Sequence, residues 1–313
     1  MKGRVLLASV LLSLIPLAMM TSAISASQLG ATSILGSSNS ANWAGVLYSV
    51  EWKNWFTNYW APIIYVSEDI YVGNLSVGYA GYTNPNVVGI WVGLSPYTIG
   101  SGTGSASPSQ ASQNFIQAGY GIFVNSQNEV SIQYFVQTWV NGQIVYNNAE
   151  YVPAGRPTYL YVYLQDFNNG TAMAQFNVYY ANGSYWSTRI YTSWPWSEQE
   201  AGTAMTIVEA PTTPLGYFAE IPYLKGGMIQ FDFGYSYNGN LYAGPGYAPS
   251  GTTMWAYVYN LVPSYSDNAA GASIVNGWSS PGGWEYLYKF SYSNGLTLYG
   301  CLLYTSDAAD ERS

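Results

Sequence analysis

The sequence predicts an all-β chain built as an antiparallel sandwich or barrel, and three observations predict it. Short runs rich in Val, Thr, Tyr and Trp recur along the chain, and these residues suit a pleated, half-buried surface. Turns containing Gly and Asn separate the runs at close spacing. No convincing amphipathic helical period occurs anywhere in the 313 residues.

The elements follow in order. IWVGL (Ile90 to Leu94) and FIQAG (Phe115 to Gly119) are short apolar strand-like runs. Between them lies SGTGSASPSQAS (Ser101 to Ser112), a polar low-complexity stretch that reads as a long surface loop. VSIQYFVQTWV (Val130 to Val140) is strand-like, and Asn141-Gly142 joins it to QIVY, a strong hairpin signal. TYLYVYLQ, a DFNNG turn, TAMAQFNVYY, an ANG turn and SYWSTRIY continue as a meander. GGMIQFDFGYSYNGNLY and TTMWAYVYNLV add further strands. The sequons at Asn74, Asn169 and Asn182 are glycosylation acceptors if the host modifies secreted proteins, and the last two fall in predicted turns.

Both ends stand apart. Lys2 and Arg4, an apolar run from Val5 to Met20 and then small residues have the layout of a secretory signal, with cleavage near Ala26. Residues 27–38 read as a short leader and 39–262 as the sandwich domain. After Pro263 the chain turns loop-like, and 263–300 either complete the sandwich or begin an appended unit. Cys301 to Ser313 break the charge-poor style of the rest and resemble the translation of a sequencing adapter.

Composition narrows the chemistry. The chain has no His, and its single Cys lies in the odd tail. The Ser-His-Asp triad, thiol chemistry and the common zinc ligand sets are therefore closed to it. Between 27 and 300 there are five basic and thirteen acidic residues, which argues against nucleic acid as a partner. Charged residues make up 8% of the chain, so there are few paired carboxylates to lose in acid, and an extracellular protein working at low pH is expected. What remains is carboxylate chemistry: hydrolysis of glycosides by two acids, or hydrolysis of peptides by water activated on a carboxyl. No cofactor and no metal are expected.

Four motifs stand in series: SANWAG (Ser40 to Gly45), IWVGL, FIQAG and TIVEAPT (Thr206 to Thr212). This series resembles the glutamic peptidases, the eqolisins, over roughly Asn39 to Val262; the lack of the fungal members' disulfides suggests an archaeal or bacterial type. The resemblance implies a lectin-like, concanavalin-type jelly-roll sandwich and acid endopeptidase activity insensitive to pepstatin. It places the catalytic Gln on Gln117 and the catalytic Glu on Glu209. It puts substrate-binding aromatic residues at Trp43 and Trp91. It also implies polypeptide substrates, a monomer, and no membrane association once the signal is removed. Two departures matter: Ser95 stands where the family has an acid after its Trp-Val-Gly strand, and Val136 or Gln137 replaces a further active-site Glu.

Two other readings compete. A glycosidase would need a second carboxyl near Glu209, with Glu220 or Asp232 as the candidates. A carbohydrate-binding or surface-layer module would need no catalytic pair at all.

Overall fold

The computed structural model describes residues 32–40, 42–53, 58–77, 85–101, 103–196, 199–212, 218–245, 249, 251–261, 273–279, 285–291 and 297–302. The segment read as a secretory signal, the stretch just after Pro263 and residues 303–313 lie outside the described residues.

The strands are β1 (Thr32–Ser40), β2 (Trp43–Lys53), β3 (Asn58–Ala61), β4 (Ile63–Tyr71), β5 (Asn74–Ser76), β6 (Asn86–Ser95), β7 (Phe115–Val124), β8 (Val130–Val140), β9 (Gln143–Tyr151) and β10 (Pro157–Asp166). They continue as β11 (Thr171–Tyr180), β12 (Tyr185–Ser193), β13 (Thr203–Glu209), β14 (Tyr223–Lys225), β15 (Met228–Tyr237), β16 (Asn240–Gly244), β17 (Thr252–Leu261), β18 (Ser273–Ser279), β19 (Glu285–Ser291) and β20 (Thr297–Leu302). The described strands form two large sheets and a two-stranded ribbon of β5 and β14. The first runs β1-β17-β2-β13-β6-β7-β8-β9, with β3 on β2. The second runs β12-β11-β10-β4-β15-β20-β19-β18, with β16 on β15. Pairing is antiparallel except for β1 with β17 and β15 with β20. β1 begins inside the segment read as a leader, and β18 to β20 extend the second sheet.

The sheets face each other over one apolar core. Val88, Ile90 and Val92 of β6, Ile116, Ala118 and Tyr120 of β7 and Val208 of β13 pack toward Val66, Ile70, Leu160, Val162, Phe231 and Phe233 of the second sheet. The alternation is clearest in β8, where Ile132, Tyr134, Val136 and Thr138 are buried and the residues between them less so. Turn chemistry agrees with the backbone: Asn141 and Asn238 have φ of 51° and 49°, and each is followed by a Gly also at positive φ, as two-residue hairpins require.

β6 and β7 are buried on both faces. The cause is a second, smaller cluster on the outer face of the first sheet: Leu47, Trp91, Ile99, Ala111, Phe115, Met205 and Ile207. The Gly/Ser-rich stretch read as a surface loop helps build this cluster. It contains a short helix, α1 (Pro108–Ala111), because Ser107 and Gln110 form a reciprocal capping box and Pro occupies the first turn. Ala111 then plugs into the outer cluster. Low complexity concealed this, since Ile99 and Ala111 are too sparse to show a period.

Candidate active site

Glu209 ends β13 on the outer face of the first sheet. Its cross-strand neighbours are Trp43 on β2 and Gly89 on β6, and Gly89 in turn faces Gly121 on β7. The Trp91 indole N–H donates to Glu209 Oε2 at 2.7 Å, and Asn42 Nδ2 donates to Oε1 at 3.3 Å. The Trp43 indole N–H is buried and meets no acceptor in hydrogen-bond geometry, yet it is close enough to favour the Glu209 anion. None of these partners is a cation. Glu209 is half-buried by surface area, but its carboxyl is enclosed closely enough that desolvation dominates. Burial raises its pKa above the ordinary value; Trp91, then Trp43 and Asn42, oppose the rise.

Trp91 is fully buried and stacks on Phe115 with ring centroids 5.5 Å apart; Phe115 stacks in turn on Trp139 at 6.0 Å. Trp43 meets Trp91, Phe115 and Tyr259 edge-on. Of the two aromatic residues expected at the site, Trp91 thus serves chiefly to hold the carboxyl, and Trp43 sits partly exposed beside it.

Gln117 lies on the same outer face, paired with Gly93 of β6 and Gln137 of β8. Its side chain is 3% exposed. Nε2 donates to Gln137 Oε1 at 2.5 Å, and Gln137 Nε2 donates onward to Asn147 Oδ1 at 3.1 Å. Gln117 Oε1 is buried without a partner. Of the two replacements considered for the family's further Glu, Val136 points into the core, and Gln137 is the one opposite Gln117.

Glu209 and Gln117 do not touch. They are two strands across and four residues along, roughly 16 Å between Cα atoms on a flat sheet lattice. The Trp91 ring lies between them, with its six-membered edge over Gly93 and its N–H toward Glu209. Gly89, Gly93, Gly119 and Gly121 carry no side chain around it, and the outer cluster closes over the ring, which is fully buried.

Among the described residues, the second carboxyl that a glycosidase needs is not brought to Glu209. Asp232 alternates with Phe231 and Phe233 of the core, so it lies on the outer face of the opposite sheet, where Tyr65 donates to it at 3.1 Å. Glu220 is buried and bonded to Asn86 Nδ2 at 3.0 Å, on the inner side of β6. Glu51 shares the outer face but sits eight residues along β2 from Trp43, roughly 26 Å away. The described residues hold no cluster of three or more metal-ligating side chains. A cavity of about 420 Å³ lies elsewhere, lined by Val72, Asn74, Asn128 and Arg156, and no carboxyl lines it.

Sequence reasoning missed Asn42 and Asn147. Asn42 adjoins Trp43 in the first motif, so its place there was the available signal; nothing marked Asn147.

No protein-family profile and no curated protein matches the chain. Among solved structures, Scytalido-glutamic peptidase with a peptide-based transition state analog is 11% identical, with 82% of this chain and 100% of that chain covered at a TM-score of 0.42. The same peptidase with a transition state analog inhibitor gives 11%, 82%, 100% and 0.41. Neither likeness assigns a role to any residue of this chain.

Proposed function

We propose that this chain is a secreted acid endopeptidase in which Glu209 acts first as general base and then as general acid, while the Gln117 amide stabilises the oxyanion. The observation that carries the reading is Glu209 itself: a carboxyl enclosed without a cation and held by an indole N–H at 2.7 Å among apolar and aromatic side chains. A carboxyl raised by burial takes a proton from water in an acid medium and can return it, which a carboxylate paired with Arg or Lys does poorly.

The reaction follows from the placement. An extended polypeptide lies against the partly exposed edge of this face at Glu209, with Trp43 as a wall and the buried Trp91 behind the carboxyl. Water attacks the scissile carbonyl carbon as Glu209 takes its proton. The carbonyl oxygen becomes an anion and accepts from Gln117, whose Nε2 keeps a second N–H beyond the one given to Gln137. Glu209 then returns the proton to the amine nitrogen as the C–N bond breaks. The two groups act from opposite sides of the scissile carbonyl, so the attacking water and the carbonyl span the gap between them. The motif series, and the lack of a second carboxyl near Glu209 among the described residues, favour this reading over a glycosidase. Secretion, monomeric action and independence of cofactors belong to the same proposal.

The test is digestion of denatured casein at acidic pH with pepstatin present. The parent should cut. Glu209→Gln should keep the fold and lose all cleavage, because the isosteric amide cannot take a proton. Gln117→Ala should lose about two to three orders of magnitude in kcat. Parent-level cleavage by purified Glu209→Gln would overturn the assignment.

A further inference from the structure

Gln117, Gln137 and Asn147 occupy one cross-strand row on β7, β8 and β9. Residues directly opposite on neighbouring strands share a face and have adjacent side chains. Here the three side-chain amides form a relay in one direction: Gln117 Nε2 to Gln137 Oε1, then Gln137 Nε2 to Asn147 Oδ1. The relay consumes one N–H of Gln117 and leaves its Oε1 buried and open. A buried polar atom without a partner is costly, and at a site it marks where a ligand atom is received. Asn147 is exposed and ends the relay at solvent, while Gln117 is at its buried end.

A Gln side chain alone has three rotatable torsions and a terminal amide that can face either way. One strong contact on Nε2 fixes both the torsions and the sense of the amide. We propose that Gln137, anchored by Asn147, is a positioning residue that fixes the sense of the Gln117 amide and leaves its carbonyl and second N–H for a substrate atom. This proposal rests on the peptidase reading for its catalytic consequence, but not for its structural part. The three amides do not titrate in the accessible pH range. The titratable groups on elements packed about this face are Glu209 on β13, Glu51 on β2, Tyr97 on the covering segment, Tyr151 on β9, and Tyr257 and Tyr259 on β17. With an amide at 137, Glu209 is the carboxyl of this face at the motif end, and Glu51 lies at the far end of β2.

The experiment uses the full chain with ¹⁵N-labelled glutamine, together with steady-state kinetics on a denatured protein substrate. In the parent, one Gln117 side-chain N–H proton should resonate downfield and exchange slowly. In Gln137→Leu that signature should disappear. In the same variant kcat should fall about tenfold to a hundredfold with KM nearly unchanged, as for a displaced catalytic group, and the acidic limb set by Glu209 should stay in place. Gln137→Glu keeps an acceptor at the same reach. It should therefore retain the amide signature and add a second ionisation to the kcat profile. An unchanged amide signal and unchanged kcat in a folded Gln137→Leu would overturn the proposal. If Gln137→Leu does not fold, Gln137→Glu decides: a profile with a single ionisation would overturn it equally. Failure of the peptidase reading would show separately, as parent-level cleavage by Glu209→Gln, because the amide resonances are read without any turnover.

Discussion

At the scale of single residues, the chemistry of Glu209 is set by partners far away in the chain. Trp91 and Asn42 stand 118 and 167 positions from it. The sequence shows that no cation neighbours Glu209; only the topology shows which donors replace one. Those donors act against burial, and this gives a signed prediction. Trp91→Phe keeps an aromatic ring and removes the closest donor, so the Glu209 pKa should climb further. A general base must be ionised in the free enzyme, so kcat/KM rises with pH through that pKa. The acidic limb of the kcat/KM profile should therefore move to higher pH in Trp91→Phe. Asn42→Ala should move it the same way by less, since its contact is longer at 3.3 Å. A limb fixed at the parent position in both variants would mean that neither donor holds the carboxyl.

At the scale of elements, the glycines of the motifs separate into two kinds. A Cβ at Gly119 would stand 2.3 Å from the Ile90 carbonyl oxygen and 2.4 Å from Trp91 Cβ, and the first of these is backbone that cannot step aside. At Gly89 a Cβ would meet Glu209 Cβ at 3.5 Å, an ordinary contact. Gly119→Ala should therefore destabilise the fold by at least about 2 kcal/mol in chemical denaturation, and Gly89→Ala should stay within about 0.5 kcal/mol of the parent. Equal losses would show that Gly119 is not what lets β6 and β7 approach at Trp91. These elements also show what the sequence reveals. Hairpins marked by Asn-Gly, and β8 with its period of two, were legible because the signal is local. The burial of β6 and β7 on both faces was not, because it depends on a covering segment whose apolar residues are few. Motif order is what singled out Gln117 and Glu209 as candidates, whereas the side that Gln137 takes, opposite Gln117 and away from the core, depends on cross-strand register that no single strand encodes.

At the scale of the whole molecule, the buried carboxyls turn acid tolerance into a preference for acid. From the sequence, tolerance followed from having few paired carboxylates to lose. The structure adds a stronger cause. Glu68 lies between the two sheets, fully buried on β4, where Thr206 of β13 donates to Oε1 and Oε2 has no partner. Burial pushes its pKa up to about 8 against the opposing Thr206 bond, with Asp69 adding to the rise. Burial likewise carries Asp232 to about 7, and raises Asp166 and Glu209. In each case the folded state holds its proton more tightly than the unfolded chain does. Stability from these groups is thus fully present below the unfolded carboxyl range, near pH 4, and is lost as pH rises through about 7 to 8. A tenfold difference in proton affinity between the folded and unfolded chain is worth about 1.4 kcal/mol, so the combined loss across that window is of the order of several kcal/mol. The midpoint of urea unfolding should therefore fall from pH 4 to pH 8. Glu68→Gln imitates the protonated side chain and cannot ionise. It should match the parent near pH 4 and exceed it at pH 8, flattening the dependence. A parent more stable at pH 8 than at pH 4, or a Glu68→Gln curve parallel to the parent's, would show that these carboxyls are not held protonated in the fold.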